Sequence, residues 1–519
     1  MKLSGSKNAW GLMFGISLGL LGGCQSLPSL EGRSQTGALS EAEASETTLG
    51  QAISPRAKEH PGESGILALS NPRKAFAART LLAQAAERTL DVQYYIWQDD
   101  ITGTLLFQAL FDAAKRGVRV RLLLDDMNTA GLDPLLLALD SHANIEVRLF
   151  NPFVHRSFRP LDFILHFSRA NRRMHNKSFT ADNAATIVGG RNIADEYFGA
   201  SENTMFADLD VLAVGPVVNE VSQDFDRYWA SRSSYPLGDI LKGSGSADGR
   251  ELSEAVNKIN NDEDARAYIE ALRNSETIKG LIQGRLALEW AETRLISDDP
   301  AKGVGEASNE ALLTYRLNPV IGEAQTELEL VSAYFVPTKV GAEALVELAQ
   351  KGVDIKVLTN SLEATDVIPV HAGYAKRRKT LLKAGITLYE IRGASAQADA
   401  TQNTGPFGSS AASLHAKTFA VDDERLFVGS FNFDPRSAKL NTELGFVIES
   451  PELAKRVSQT FETNVPKNAY LVKLSQDGDL YWLAQQNGKL ERFDTEPNTS
   501  IWKRIGVYIT AKLPIEWLL

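Results

Sequence analysis

The sequence predicts an α/β fold built as two similar lobes with pseudo-twofold symmetry, and an active site in the shared cleft. Two observations carry that prediction. Strand–helix–strand alternation runs through residues 66–234 and again through 320–465. Each half also holds one copy of a short motif, H-x-K-x4-D followed, after six intervening residues, by G-[GS]-x-N. The first copy is His175, Lys177, Asp182 and Gly189-Gly190-Arg191-Asn192; the second is His415, Lys417, Asp422 and Gly429-Ser430-Phe431-Asn432.

Taken in order, Asn71-Pro72 marks a helix start, a capping amide before a proline in the first turn, with helical spacing to about Ala86. Leu90–Trp97 reads as a strand, Gly103–Arg116 as a helix closed by Gly117, and Val118–Leu124 as the next strand. A short helix about Leu132–Leu139 and a strand Ile145–Phe150 lead to the first motif, and a later strand, Phe206–Val214, carries Asp208 and Asp210. The second half repeats the plan with strands at Leu328–Phe335, Val353–Thr359 and Ile386–Ile391 and helices at Gly341–Lys351 and Ala375–Lys383. Tyr94-Tyr95-Ile96-Trp97 aligns with Ala333-Tyr334-Phe335-Val336 across the repeat. Residues 235–319 are polar and expected to be mostly helical. Residues 466–519 form a C-terminal extension with hairpin signals at Asp477-Gly478 and Asn487-Gly488. Its aromatic, apolar end (Trp502, Tyr508, Trp517) is expected to pack on the body, with contact to lipid headgroups as the other reading.

At the N-terminus, Lys2 and Lys7 precede an apolar stretch from Ala9 to Leu21 and then Gly22-Gly23-Cys24. This is the pattern of a signal peptide over 1–24, too short for a confident spanning helix. Residues 25–65 are rich in Ser, Glu, Gly and Ala without periodicity and read as a disordered tether. Cys24 is the sole cysteine, which rules out an intrachain disulfide and a Cys-rich metal site. The net charge of −10 argues against nucleic acid as the main substrate, because such binding needs an excess of Lys and Arg. Lys376-Arg377-Arg378-Lys379 is a basic run within this acidic chain, either a solvated helix face or a contact for anionic headgroups.

The motif spacing has a physical reading. The surroundings of both copies favour strands, and residues two apart on a strand share a face, so His175 points with Lys177 and His415 with Lys417. Two imidazoles and two ammoniums converging suit a phosphodiester: one imidazole attacks phosphorus, the other protonates the leaving oxygen, and Lys177, Lys417, Asn192 and Asn432 bind the remaining oxygens. The scheme calls for no metal and no cofactor. As motif members Asp182 and Asp422 are grouped with the catalytic residues His175, Lys177, His415 and Lys417, although their odd offset and turn position favour a structural role. Ser430 stands where the first copy has Gly190, so only the second lobe offers a hydroxyl to the phosphate. Arg436-Ser437 either extends that pocket or forms an ordinary surface ion pair.

At these residues the chain resembles the phospholipase D superfamily, whose members carry two such motifs. The contexts Asn171-Arg172-Arg173-Met174-His175 and Gly429-Ser430-Phe431-Asn432-Phe433-Asp434-Pro435-Arg436-Ser437 are similar to those of bacterial cardiolipin synthases, the C-type branch in particular. The resemblance implies His175 as nucleophile through a phosphohistidine and His415 as acid/base. It implies that the acidic residues after each G-[GS]-x-N, Asp208 and Glu443, orient the imidazoles. Phosphatidyl transfer to phosphatidylglycerol is the implied reaction, with phosphatidylethanolamine or a second phosphatidylglycerol as donor. Hydrolysis to phosphatidic acid is the alternative within the same chemistry; a nuclease or an inactive envelope lipoprotein fits less well. Leu21-Gly22-Gly23-Cys24 resembles a bacterial lipobox, with Cys24 as the lipidated residue. That implies a lipid-anchored protein of the bacterial cell envelope facing the periplasm at a membrane surface, and Gln25 leans the sorting toward the outer membrane.

Overall fold

The computed structural model describes residues 26–519 except 202–204, 243–249, 274–276, 394–412 and 487. The signal-peptide segment and Cys24 therefore lie outside the described residues. Residues 26–65 correct the expectation of a disordered tether. Ser40 caps a helix at Glu41–Ser45 through a capping box with Glu43, and Thr47 caps a second helix at Thr48–Glu59. Leu49 and Ile53, one helical turn apart, are buried in the core of the first lobe. The extended chain before them is pinned by buried arginines, Arg121 Nη1 donating to Thr36 O (2.8 Å) and Arg148 Nη2 to Ser34 O (2.8 Å). Few apolar residues were needed to fix this segment because the lobe surface supplied the donors.

The first lobe is a mixed sheet. Its strands in chain order are β1 (Ser64–Leu69), β2 (Thr89–Ile96), β3 (Arg119–Asn128), β4 (Ile145–Phe150), β5 (Ser178–Ala181) and β6 (Ala185–Gly189). The short β7 (Phe206–Ala207), β8 (Asp210–Val214) and β9 (Ser234–Pro236) follow. They pair in the order β1-β8-β6-β5-β2-β3-β4-β9, with β2, β3 and β4 parallel and the rest antiparallel. The parallel strands are joined by helices at Ile101–Lys115 and Asp133–Asp140, whose apolar faces cover one side of the sheet.

The second lobe repeats this plan. Its strands are β10 (Glu289–Ser297), β11 (Glu327–Ser332), β12 (Asp354–Asn360), β13 (Thr387–Ile391), β14 (Ser413–Leu414) and β15 (Lys417–Val421). After these come β16 (Arg425–Gly429), β17 (Leu444–Glu449), β18 (Ala469–Leu474), β19 (Leu480–Gln486) and β20 (Lys489–Phe493). The order β10-β17-β16-β15-β11-β12-β13-β18 matches the first lobe strand for strand, and β19-β20 extend it. Residues 469–493 are thus part of the second sheet rather than an appendage.

The segment 235–319 also differs from its expectation. Besides helices it supplies β10, the counterpart of β1, and the two strands pair antiparallel through Ser64↔Ala291, Gly65↔Trp290 and Ile66↔Glu289. The sheets are therefore continuous across the pseudo-twofold axis. Alternating charged residues in Glu289–Ser297 hid this strand, because its Glu292 and Arg294 face solvent while Ala291 and Ile296 are buried. A shared apolar core behind it mixes residues of both lobes, among them Ile66, Val188 and Ala213 with Val428, Leu444 and Phe446.

Asp182 and Asp422 sit in the turns of the β5–β6 and β15–β16 hairpins, both with positive φ (52° and 55°). Grouping them with the catalytic residues is corrected here, because neither carboxylate reaches the cleft. Asp182 accepts from the backbone N–H groups of Glu87, Arg88 and Thr89 (2.9, 2.8 and 2.8 Å). Asp422 accepts from those of Gln325, Thr326 and Glu327 (3.0, 2.7 and 3.1 Å). Each carboxylate ties its hairpin to the start of the neighbouring strand, β2 or β11. Asp182→Ala would leave three donors without an acceptor. We expect a loss of about 3 kcal/mol in stability, read by thermal unfolding, with kcat of the folded fraction within about threefold of the parent.

Candidate active site

The two motif histidines face each other across the lobe boundary, each held by backbone of the opposite lobe. His175 N donates to Thr442 O (2.9 Å), and Met174 bridges to Thr442 in parallel. The equivalent contact has His415 N donating to Ala207 O (2.8 Å), beside the parallel pairing of β14 with β7. Both histidines precede their hairpin strands, since β5 begins only at Ser178 and β15 at Lys417. Their extended backbones pair across the boundary instead of continuing the hairpin.

This pairing brings each imidazole to a carboxylate of the other lobe. His175 Nδ1 lies 2.8 Å from Glu443 Oε2, and His415 Nδ1 lies 2.6 Å from Asp208 Oδ2. A proton on Nδ1 directed at the carboxylate leaves Nε2 with its lone pair. Burial is the main cause pushing both imidazoles down, His175 to about 4 and His415 to about 3, so both are neutral at pH 7. For His415 the next cause is Lys417, whose Nζ lies 3.0 Å from the same Nδ1. Both carboxylates stay ionised. Burial opposes their charge, but the hydrogen bonds from His415 and His175, with Lys417 and Lys177 nearby, outweigh it, taking Asp208 down to about 2 and Glu443 below its usual range.

Lys177 and Lys417 are buried beside the imidazoles, and each ammonium donates to the carbonyl of its own motif histidine, Lys177 Nζ to His175 O at 2.6 Å. Burial lowers both, Lys417 to about 8. Two ammoniums, with both nearby carboxylates engaged by imidazoles, make a donor set for an anion.

The two lobes support their carboxylates differently. Ser430 was expected to offer its hydroxyl to phosphate; it donates instead to Glu443 Oε2 and accepts from Leu444 N (3.1 Å). In the first lobe a Cβ at Gly190 would come within 2.2 Å of Asp208 Oδ1, so glycine is required there, and Leu209 N (2.8 Å) caps that oxygen. Asn192 is likewise turned away from an oxyanion role. Its Nδ2 donates to Tyr197 Oη (3.0 Å) and its Oδ1 accepts from Ile96 N (3.2 Å), which braces the end of β2. Asn432 is buried, and its Oδ1 is without a hydrogen-bond partner among the described residues.

Other contributors went unread in the sequence. The ring edges of Tyr95 and Tyr197 meet His175 and His415, each with centroids 5.0 Å apart. Tyr95 had a visible signal, since it aligns with Tyr334 in the repeat. Asp298, at the end of β10, accepts from Glu443 N (2.9 Å), Lys302 Nζ (2.8 Å) and Leu313 N (2.8 Å), fixing the backbone that carries Glu443. Arg436 is neither a pocket extension nor an ordinary surface pair. Its Nη2 donates to Asn171 Oδ1 (2.8 Å) and its Nε to Leu518 O (3.0 Å), joining the approach to the first motif to the C-terminal residues. One His/Asp group among the described residues, His155, Asp162 and His166, has donor atoms within 4.8 Å of one another. It is not part of the histidine pair, and Arg169 stands 3.4 Å from Asp162, which opposes a second cation there.

Comparison with known proteins agrees with this geometry. Residues 79–229 and 317–465, one span per lobe, match the family described as cardiolipin synthase, PLD-like domain. The chain belongs to that family. It is 51% identical over 474 residues to cardiolipin synthase C of Escherichia coli K12, covering 91% of this chain and 99% of that protein. A cardiolipin synthase of Staphylococcus aureus N315 is 24% identical, over 76% of this chain and 66% of that protein. In fold it is similar to the crystal structure of phosphatidylserine synthase from Haemophilus influenzae Rd KW20, with TM-score 0.55 and 16% identity, covering 90% of this chain and 99% of that one. The protein is accordingly an enzyme of the phosphatidyltransferase class.

Two outcomes follow for the site. Ser430→Ala should lower kcat several-fold while leaving KM nearly unchanged, because the hydroxyl steadies Glu443 instead of touching substrate; steady-state kinetics reads the split. Lys417 is charged only below about pH 8, so binding of an anionic diester should weaken as pH rises through that value. In Lys417→Arg the guanidinium keeps its charge, and the alkaline limb of the kcat/KM profile should move upward.

Proposed function

We propose that this enzyme makes cardiolipin by transferring a phosphatidyl group to phosphatidylglycerol, with phosphatidylethanolamine or a second phosphatidylglycerol as donor. The observation that carries the reading is the crossed pair of imidazoles, each with Nδ1 engaged by the other lobe's carboxylate. His175 Nε2 attacks the donor phosphorus, the bond from phosphorus to the headgroup alcohol breaks, and His415 gives that alkoxide its proton. His415 takes that proton from solvent as the substrate binds, because an anionic diester beside two neutral imidazoles favours protonation of one of them. His415, now neutral, takes the proton of a phosphatidylglycerol hydroxyl, whose oxygen attacks phosphorus and displaces His175. Lys177 and Lys417 hold the non-bridging oxygens, where charge gathers in both transition states. Two inversions give net retention.

One observation favours the reversed roles: Lys417 Nζ lies 3.0 Å from His415 Nδ1, a contact without a counterpart at His175 among the described residues, and it disfavours an imidazolium at His415. Trapping separates the two. With a phosphatidyl donor labelled at phosphorus and carrying a leaving group that needs no proton, such as p-nitrophenol, His415→Ala should accumulate label on His175, located by peptide mapping. Label on His415 in His175→Ala, with none on His175 in the other variant, would assign the roles the other way.

The same reading takes the chain to the bacterial cell envelope, anchored through lipid on Cys24 and facing the periplasm, the outer membrane being the weaker lean from Gln25. Among the described residues no helix is long and apolar enough to cross a membrane. Incubating the purified enzyme with phosphatidylglycerol, with and without phosphatidylethanolamine, should yield cardiolipin by mass spectrometry, and released ethanolamine would identify the donor. Phosphatidic acid as the sole product would mean a hydrolase.

A further inference from the structure

The C-terminal helix Ile501–Thr510 is folded with its apolar face outward. At about 100° per residue, Ile501, Trp502, Ile505, Tyr508 and Ile509 fall within an arc of about 120°, and all five are exposed, Trp502 to 77%. On the opposite side only Val507 is buried, against Leu362 and Ala372. A helix of this pattern in a globular protein normally turns its stripe to the core. The helix packs on the body through its Val507 side, as expected of this end, but Trp502 and Tyr508 stand in solvent.

A second exposed group lies on the short helices of residues 156–170, where Phe158, Ile164, Leu165 and Phe167 all stand in solvent. The C-terminal residues that follow the helix reach this second group: the Phe167 and Trp517 rings are 6.2 Å apart, centroid to centroid. The same C-terminal residues also lie at the cleft. Arg436 bonds both Leu518 O and the Asn171 side chain, and Asn171 is four residues before His175.

The charges around this surface run against the acidic balance of the chain. Residues 501–519 hold Lys503, Arg504 and Lys512 against a single Glu516, which is itself paired with Lys376 and Arg377. The Lys376–Lys379 run is thus mostly spent within the chain, with Arg378 buried between Glu390 and Glu496. Residues 156–173 hold five arginines; Arg156 is paired with Asp126 and Asp133, Arg159 with Asp126, Arg169 with Asp162 and Arg173 with Asp125, and Arg172 remains partly exposed. Trp502 and Tyr508 on an exposed apolar face, with Arg504 at its edge, match the pattern of a helix lying in the headgroup layer of a bilayer.

We propose that the outward face of Ile501–Thr510 and the apolar side chains of 156–170 together form a docking surface for an anionic phospholipid bilayer, set at the rim of the cleft. The proposal rests on the reading that the substrates are bilayer lipids. It explains why an acidic protein concentrates exposed apolar and basic side chains beside its active site. In this arrangement the helix lies in the bilayer plane, so donor and acceptor lipids reach the histidine pair with little departure from the membrane.

The test uses the full chain bound to vesicles of phosphatidylcholine and phosphatidylglycerol whose acyl chains carry bromine. Comparing the parent with Trp502→Phe isolates the emission of Trp502. We expect that component to be quenched at least twofold by bromine in the upper acyl chain, whether or not an N-terminal lipid also holds the protein. Unquenched Trp502 emission in vesicle-bound protein would overturn the proposal. So would emission already shielded without vesicles in a dimer that Trp502→Ser dissolves, since a second copy would then be the occupant. A second readout compares rates on vesicles with rates on a monomeric short-chain phospholipid. The triple variant Trp502→Ser, Ile505→Ser, Ile509→Ser should lower that ratio about tenfold, and an unchanged ratio would count against the proposal. The quenching result needs no turnover, so it stands or falls separately from the identity of the reaction product.

Discussion

Each motif histidine takes its orienting carboxylate from the lobe that does not contain it. The His175–Glu443 and His415–Asp208 contacts cross the lobe boundary in opposite directions. Neither lobe alone holds an imidazole with a fixed tautomer, and much of the architecture serves to bring the halves into register. Strands β1 and β10 join the sheets at the pseudo-twofold axis, and backbone bonds from His175 to Thr442 and from His415 to Ala207 set the height of each histidine. Burial then keeps both imidazoles neutral, and the two lysines supply the positive charge that an incoming phosphodiester requires.

The symmetry is approximate in a way that bears on chemistry. Glutamate with Ser430 in one half answers aspartate with Gly190 in the other. The longer side chain leaves room for a hydroxyl donor, whereas the shorter one is capped by its own neighbouring amide and tolerates no Cβ opposite it. Lys417 Nζ also lies 3.0 Å from His415 Nδ1, a contact without a counterpart at His175 among the described residues. Inequivalent histidines are what a two-step transfer needs, since one must bond phosphorus and the other must carry a proton.

Much of this was legible in the sequence because the chain repeats itself. The duplicated H-x-K-x4-D-x6-G-[GS]-x-N announced two half-sites, and the helix and strand signals around each copy placed them on matching lobes. The odd offset of Asp182 and Asp422 correctly pointed to the hairpin turns. The exchange of Asp208 and Glu443 between lobes was out of reach, because one-dimensional spacing carries no information on which half faces which. Ser430 and Asn192 misled for a related reason: a polar side chain beside a phosphate site is as well suited to brace the site as to touch the ligand. Strand β10 was masked by its solvent-facing charges, and the residues before β1 by a composition that resembles a linker.

Burial keeps both histidines neutral at pH 7, and the crossed carboxylates hold the proton of each on Nδ1. Nitrogen-15 NMR of imidazole-labelled enzyme at pH 7 reads this directly, with His175→Ala and His415→Ala assigning the two signals. Both residues should appear as the neutral Nδ1–H tautomer, with Glu443→Gln disturbing His175 and Asp208→Asn disturbing His415. An Nε2–H tautomer at either position, or each carboxylate variant affecting the histidine of its own lobe, would contradict this arrangement.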